Sequence, residues 1–216
     1  MPVINKLHYI SQGTNAKEHL ENIQKACQYG SELVQLRLKN LSEKKILKAA
    51  EEAREITGHY HTRLIINDHY KIGKKVNADG VHLGKTDTCP TIARKELKSW
   101  QIIGGTANTL QDCEALIAKE VDYIGLGPFR FTTTKDNLSP ILGLNGYTSI
   151  VEALNTKTPI IGIGGIKTED VSEILETGIS GIAVSGEITR DFNKIKEFHK
   201  LLNTGSSQEQ RYSFKN

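Results

Sequence analysis

An α/β fold, a single closed (β/α)8 barrel, is what this sequence predicts, and three observations carry the prediction. Eight short apolar runs alternate with eight helix-like runs along the chain. No second kind of module interrupts the alternation, which points to a parallel sheet with helices packed outside it. The length of 216 residues and 38% hydrophobic content suit one globular domain with a sizeable core, and two domains would each be small. An open doubly wound sheet is the alternative architecture.

The elements follow in order. Leu7 to Ser11 is the first strand, and Ala16 to Tyr29 the first helix, with Gly30 as its stop signal. Leu33 to Lys39 leads into a helix from Ser42 to Thr57 that Gly58 closes. Strand Arg63 to Asp68 precedes helix Tyr70 to Val76, and strand Gly80 to Gly84 precedes helix Thr91 to Lys98. Trp100 to Ala107 and Thr109 to Lys119 form the fifth pair. Tyr123 to Gly127 is the sixth strand, followed by a long polar loop and a helix from Tyr147 to Leu154. Pro159 to Gly165 with Thr168 to Thr177, then Gly181 to Gly186 with Asp191 to Leu202, complete the set. Residues 1–203 are therefore read as the barrel domain, and 204–216, polar and serine-containing, as a flexible tail.

Composition excludes several function classes. The formal charge is only +3 and the basic residues are scattered, so no nucleic-acid surface is expected. Cys27, Cys89 and Cys113 have neither paired spacing nor a metal-ligand pattern, and read as free thiols in a reducing compartment. The first residues lack a signal-peptide architecture and no apolar run reaches the ~18 residues of a membrane span, so a cytoplasmic protein without a membrane partner is expected. The oligomeric state stays open, homo-oligomers included.

Chemistry in such barrels sits at the carboxyl ends of the strands. In the second strand Val34, Leu36 and Leu38 alternate with Gln35, Arg37 and Lys39, and a period of two turns the latter three toward the barrel interior. Buried cations need acidic partners or an anionic ligand. An internal salt-bridge network with Asp68 and Asp87 is one answer, and a bound anion is the other. Asn67 and Asp68 end the third strand, and Asp87 follows the fourth. Neighbouring strands lie about 4.8 Å apart, so the two carboxylates can reach one cation, with phosphate oxygens and waters completing a magnesium site. His82, in mid-strand, reads as structural.

Thr106 ends the fifth strand. After the sixth, Thr132, Thr133, Thr134 and Lys135 offer hydroxyls and a cation to an anionic oxygen cluster, in a loop whose length suits a lid. The seventh strand ends Gly162-Ile163-Gly164-Gly165 and the eighth Val184-Ser185-Gly186. Glycines there let backbone amides approach a phosphate without an intervening side chain.

In these positions the chain resembles the thiamine-phosphate synthases, TIM-barrel enzymes that join the pyrimidine and thiazole halves of thiamine. The resemblance spans residues 7 to 202. It rests on Gln35-Leu36-Arg37-Leu38-Lys39, Asn67-Asp68, Asp79-Gly80-Val81-His82-Leu83-Gly84 with Asp87, Gly127-Pro128 with Thr132, Thr134 and Lys135, and Gly162 to Gly165. The resemblance implies that Gln35, Arg37, Lys39, Asn67, Thr106 and Lys135 hold the pyrimidine pyrophosphate, with Arg37, Lys39 and Lys135 as catalytic cations. It implies Mg2+ on Asp68 and Asp87, and the thiazole phosphate on Thr132 to Thr134, Gly165, Ser185 and Gly186. The expected reaction is a dissociative substitution yielding thiamine phosphate and pyrophosphate. Lys85, Thr106, Leu38 and Ser185-Gly186-Glu187 depart from the family pattern. Lys85 would add a cation beside Asp87, and Leu38 should face the helices. A thiazole tautomerase of the same family, a non-catalytic thiamine-phosphate sensor and an unrelated phosphosugar isomerase barrel are the competing readings. Retention of the pyrophosphate and metal residues speaks against the first two, and the last lacks an identifiable acid/base pair.

Overall fold

In the computed structural model of the protein, residues 3–131 and 140–212 are described, with side chains through residue 203. Eight parallel strands close into a barrel in sequence order. They are β1 (Leu7–Ile10), β2 (Leu33–Leu36), β3 (Arg63–Asn67), β4 (Gly80–Leu83), β5 (Ile102–Ala107), β6 (Tyr123–Leu126), β7 (Ile160–Ile163) and β8 (Gly181–Val184). The seam between β8 and β1 is paired in register, Leu7 beside Ile182 and Tyr9 beside Val184. The closed barrel removes sheet edges, and the open-sheet alternative with them.

Period-two alternation sorts the side chains into two cores. Ile10, Leu33, Ile65, Ile102, Tyr123, Ile161 and Ala183 fill the interior. Tyr9, Val34, Leu36, Leu38, Leu64, Ile66, Val81, Ile103, Ile124 and Ile182 point outward into the larger core beneath the helices. Leu38 thus faces the helices as expected.

The helices are α1 (Ala16–Gln28), α2 (Glu43–His59), α3 (Tyr70–Lys75), α4 (Pro90–Glu96), α5 (Leu110–Ile117), α6 (Gly143–Leu154), α7 (Val171–Glu176), α8 (Gly186–Arg190) and α9 (Lys194–Tyr212). Helix α1 starts where Asn15 accepts a hydrogen bond from the Glu18 amide, and α5 where Thr109 and Asp112 cap each other reciprocally. Several boundaries differ from expectation. Gly58 lies inside α2, which runs one residue further because its final-turn amides still find carbonyls at Ile56 and Gly58. A 3-10 turn at Thr168–Asp170 precedes α7, and the short α8 replaces the loop expected after Gly186. The backbone of α9 continues to Tyr212, past the end expected at Leu202. Strand β2 stops at Leu36, so Arg37 and Lys39 stand on the rim above the interior layer.

Among the described residues the three cysteines are free thiols, and no helix is long and apolar enough to cross a membrane.

Candidate active site

One cavity of about 730 Å³ opens at the carboxyl ends of the strands. Its wall includes Gln35, Arg37, Lys39, Asn67, Asp68, Asp87, Thr106, Gly165, Ser185 and Gly186, so the structure gathers these ten expected site residues in one place. The expectations for Thr132, Thr133, Thr134 and Lys135, and for a lid, lie outside the described residues.

The acidic corner is built by the turns after β3 and β4. Asp68 adopts a left-handed backbone, φ 62°, with its amide hydrogen-bonded to the His82 carbonyl at 2.8 Å. Aspartate tolerates that region better than most residues, and such outliers gather at functional sites. Its carboxylate accepts from the Lys39 ammonium, so part of the salt-bridge network considered from the sequence is realised. Asp87 turns back to accept from the Gly84 amide at 2.7 Å, and its carboxyl also hydrogen-bonds Asp68. Burial works to raise the Asp68 carboxyl, but the hydrogen bond from Asp87 and the pairing with Lys39 outweigh it and hold Asp68 below the usual range. Burial, then the bond to Asp68 and its charge, push Asp87 upward. The two carboxyls therefore titrate together, Asp68 driven toward the ionised form and Asp87 toward the protonated one. Among the described residues no group of three or more histidine, cysteine or acidic side chains is placed to hold a metal ion.

Lys85 does not stand beside Asp87 as a free cation. Its ammonium pairs with Asp112 at 2.5 Å, tying the loop after β4 to the start of α5. Asp112 in turn accepts from the Asn108 and Thr109 amides, which explains why the lysine is drawn there.

The opposite corner is made of backbone. Gly164 and Gly165 have φ values of 104° and 66°, and a Cβ on Gly165 would lie 2.5 Å from Arg130 Cγ. Arg130 forms a two-pronged ion pair with Asp170, at 2.7 and 2.9 Å. Asp170 is buried and also accepts from the Lys167 amide at 2.8 Å. The pair fastens the loop after β6 to the loop after β7. Sequence reasoning missed it, because the partners are 40 residues apart and neither carries a local signal. Glu187, an unexpected acid in this corner, is held ionised by Lys194 and Arg190 against the opposing effect of its burial.

Two side-chain atoms are buried without a hydrogen-bond partner among the described residues: Asn67 Nδ2 and Ser185 Oγ. Buried polar atoms are ordinarily paired, and these two residues line the same cavity, at the ends of β3 and β8. The cavity therefore offers one unmet donor near the acidic corner and one unmet hydroxyl near the glycine corner. His82, read as structural from the sequence, also lines the wall and lies 2.9 Å from Thr106 Oγ1.

The chain is similar to proteins of one family. The family model of thiamine monophosphate synthase matches residues 7–188. The thiamine-phosphate synthase of Flavobacterium psychrophilum is 47% identical over 204 residues, covering 92% of this chain and 99% of that protein. That of Bacteroides fragilis is 42% identical over 200 residues, with 91% and 98% covered. The solved thiamine phosphate pyrophosphorylase of Pyrococcus furiosus superposes with a TM-score of 0.78 at 27% identity, over 93% of this chain and 96% of its own.

Proposed function

The chain belongs to the thiamine monophosphate synthase family of transferases, and from that premise we propose that its cavity performs the magnesium-dependent condensation of two phosphorylated heterocycles. The substrates are 4-amino-2-methyl-5-(diphosphooxymethyl)pyrimidine and 4-methyl-5-(2-phosphooxyethyl)thiazole, or the carboxylated form of the latter. The products are thiamine phosphate and pyrophosphate, with carbon dioxide when the carboxylate is used. The observation that supports this most is the opposition, across one cavity, of a close carboxylate pair beside Lys39 and a glycine cradle beside Ser185.

Asp68 and Asp87 suit magnesium because a divalent cation would relieve the mutual repulsion that, after burial, pushes the Asp87 carboxyl upward. When bound, the ion would supply positive charge to the departing pyrophosphate. Arg37 and Lys39 on the rim add positive charge where negative charge grows as the methylene carbon–oxygen bond breaks, and Lys135 is assigned to the same task. Gln35, Asn67 and Thr106 orient the pyrimidine pyrophosphate. Thr132 to Thr134, Gly165, Ser185 and Gly186 hold the thiazole phosphate. The bonding pair leaves with pyrophosphate, the pyrimidine amino group stabilises the cationic methylene, and the thiazole nitrogen lone pair forms the new carbon–nitrogen bond. No enzyme nucleophile is required. Holding both rings in one cavity supplies a further large rate term.

Both substrates incubated with the protein and magnesium should yield thiamine phosphate and pyrophosphate in equal amounts, and a chelator should abolish both. Binding of thiamine phosphate with neither product formed would favour the sensor reading instead.

A further inference from the structure

A buried polar chain runs through the barrel interior below the cavity, from β6 through β4 to β5. Tyr123 is 2% exposed, its ring lies where Gly104 has no side chain, and the His8 ring meets it edge-on at 5.0 Å. The Tyr123 hydroxyl is 2.9 Å from His82 Nδ1, and His82 Nε2 is 2.9 Å from Thr106 Oγ1. His82 and Thr106 both line the cavity.

The direction of the hydrogens follows from counting donors and acceptors. Burial pushes the Tyr123 phenol above its ordinary value, so the hydroxyl keeps its proton at any working pH. Among the described residues His82 Nδ1 is its only hydrogen-bond acceptor. His8 directs its Nε2 at the Asn5 carbonyl instead. A proton on Nδ1 of His82 would leave the Tyr123 hydrogen buried without an acceptor, an arrangement native interiors avoid. Tyr123 therefore donates to Nδ1, the imidazole carries its proton on Nε2, and that proton goes to Thr106 Oγ1. The hydroxyl hydrogen of Thr106 is left to point away from His82.

We propose that Tyr123 is a positioning residue which, through His82, frees the Thr106 O–H to donate into the cavity, so that this point of the site can hold a phosphate oxygen. The chain thereby keeps the hydroxyl hydrogen from being spent on His82 and leaves it for a ligand oxygen. The substrate half of this inference rests on the reading of the cavity as a pyrophosphate site, whereas the hydrogen-bond direction does not.

The full-length chain with 15N-labelled histidine would test it by NMR, His82→Gln assigning the His82 signals. The expected spectrum shows His82 with its proton on Nε2, and a proton on Nδ1 would overturn the proposal without any variant having to fold. Inorganic pyrophosphate with magnesium, followed by calorimetry, tests the consequence. Tyr123→Phe and Thr106→Val should each weaken binding by about three- to tenfold, the scale of one hydrogen bond. The double variant should bind no more weakly than Thr106→Val alone, because Tyr123 acts only through that hydroxyl. Full additivity, as from general damage to the barrel, would overturn the relay, as would unchanged affinity in Tyr123→Phe. An Nε2 proton with no pyrophosphate binding by the wild-type chain would remove the substrate half and the pyrophosphate reading together, leaving only the hydrogen-bond direction standing.

Discussion

The rim above β2 to β4 and the rim above β6 to β8 present opposite chemistries to the same cavity. At the first, Arg37, Lys39, Asp68 and Asp87 bring charged side chains to it, and Lys39 and the two aspartates are already engaged with one another. At the second, Gly164, Gly165 and Gly186 bring backbone, and the nearby charges of Arg130 and Glu187 are tied to Asp170, Arg190 and Lys194. Side-chain charge suits a ligand whose charge changes during reaction, since flexible cations and a metal can follow it. A backbone cradle suits a phosphate that only has to be held. On the proposed function, the first rim suits the leaving pyrophosphate and the second the spectator phosphate.

The largest expected effect breaks the charged rim. Asp68→Asn should lower turnover on the order of 100-fold, with the magnesium concentration for half-activation raised, because one of the two carboxylates proposed to hold the metal loses its charge. Lys135→Ala should lower turnover at least about tenfold, and wild-type turnover would remove that lysine from the charged set. Steady-state rates across a magnesium titration check both.

A third expectation separates the rims from the barrel beneath them. Burial holds His8 down to about 3, so between its ordinary value of 6.5 and that value the unfolded chain binds a proton that the folded chain refuses. Stability should be full above about pH 6.5 and fall as pH drops below it, by up to about 1.4 kcal/mol per pH unit from this group. Urea midpoints between pH 7 and 5 measure the slope, and His8→Gln should flatten it. A slope unchanged in His8→Gln would place the acid sensitivity elsewhere. The smallest effect concerns Lys85. Because its ammonium pairs with Asp112, Lys85→Gln should change the KM for the pyrimidine substrate less than about twofold, the scale of an exposed ion pair.

The same contrast explains what the sequence made legible. Alternation in Val34 to Leu38 was enough to separate inward Gln35 from outward Leu36 and Leu38, since a strand allows only two faces. Glycines after β7 marked a site because few other residues hold the φ values of Gly164 and Gly165. Partners distant in sequence were not legible. Asp112 drawing Lys85 aside, Asp170 fastening Arg130, and Tyr123 reaching His82 each depend on strand neighbours that only the closed barrel brings together. Helix ends were less legible than strand faces. Gly58 could stop a helix or continue one for a turn, and α8 is too short to show a period.

The division of the cavity is tested most directly by one crossed kinetic measurement, the KM for each substrate in Asp87→Asn and in Gly165→Ala. The first variant removes the carboxylate that Asp87 would offer a bound magnesium, and the second forces a Cβ to within 2.5 Å of Arg130 Cγ at a left-handed backbone position. The account predicts that Asp87→Asn raises the KM for the pyrimidine pyrophosphate by about tenfold or more with the thiazole value nearly unchanged, and that Gly165→Ala does the reverse. Equal rises for both substrates in both variants would contradict it.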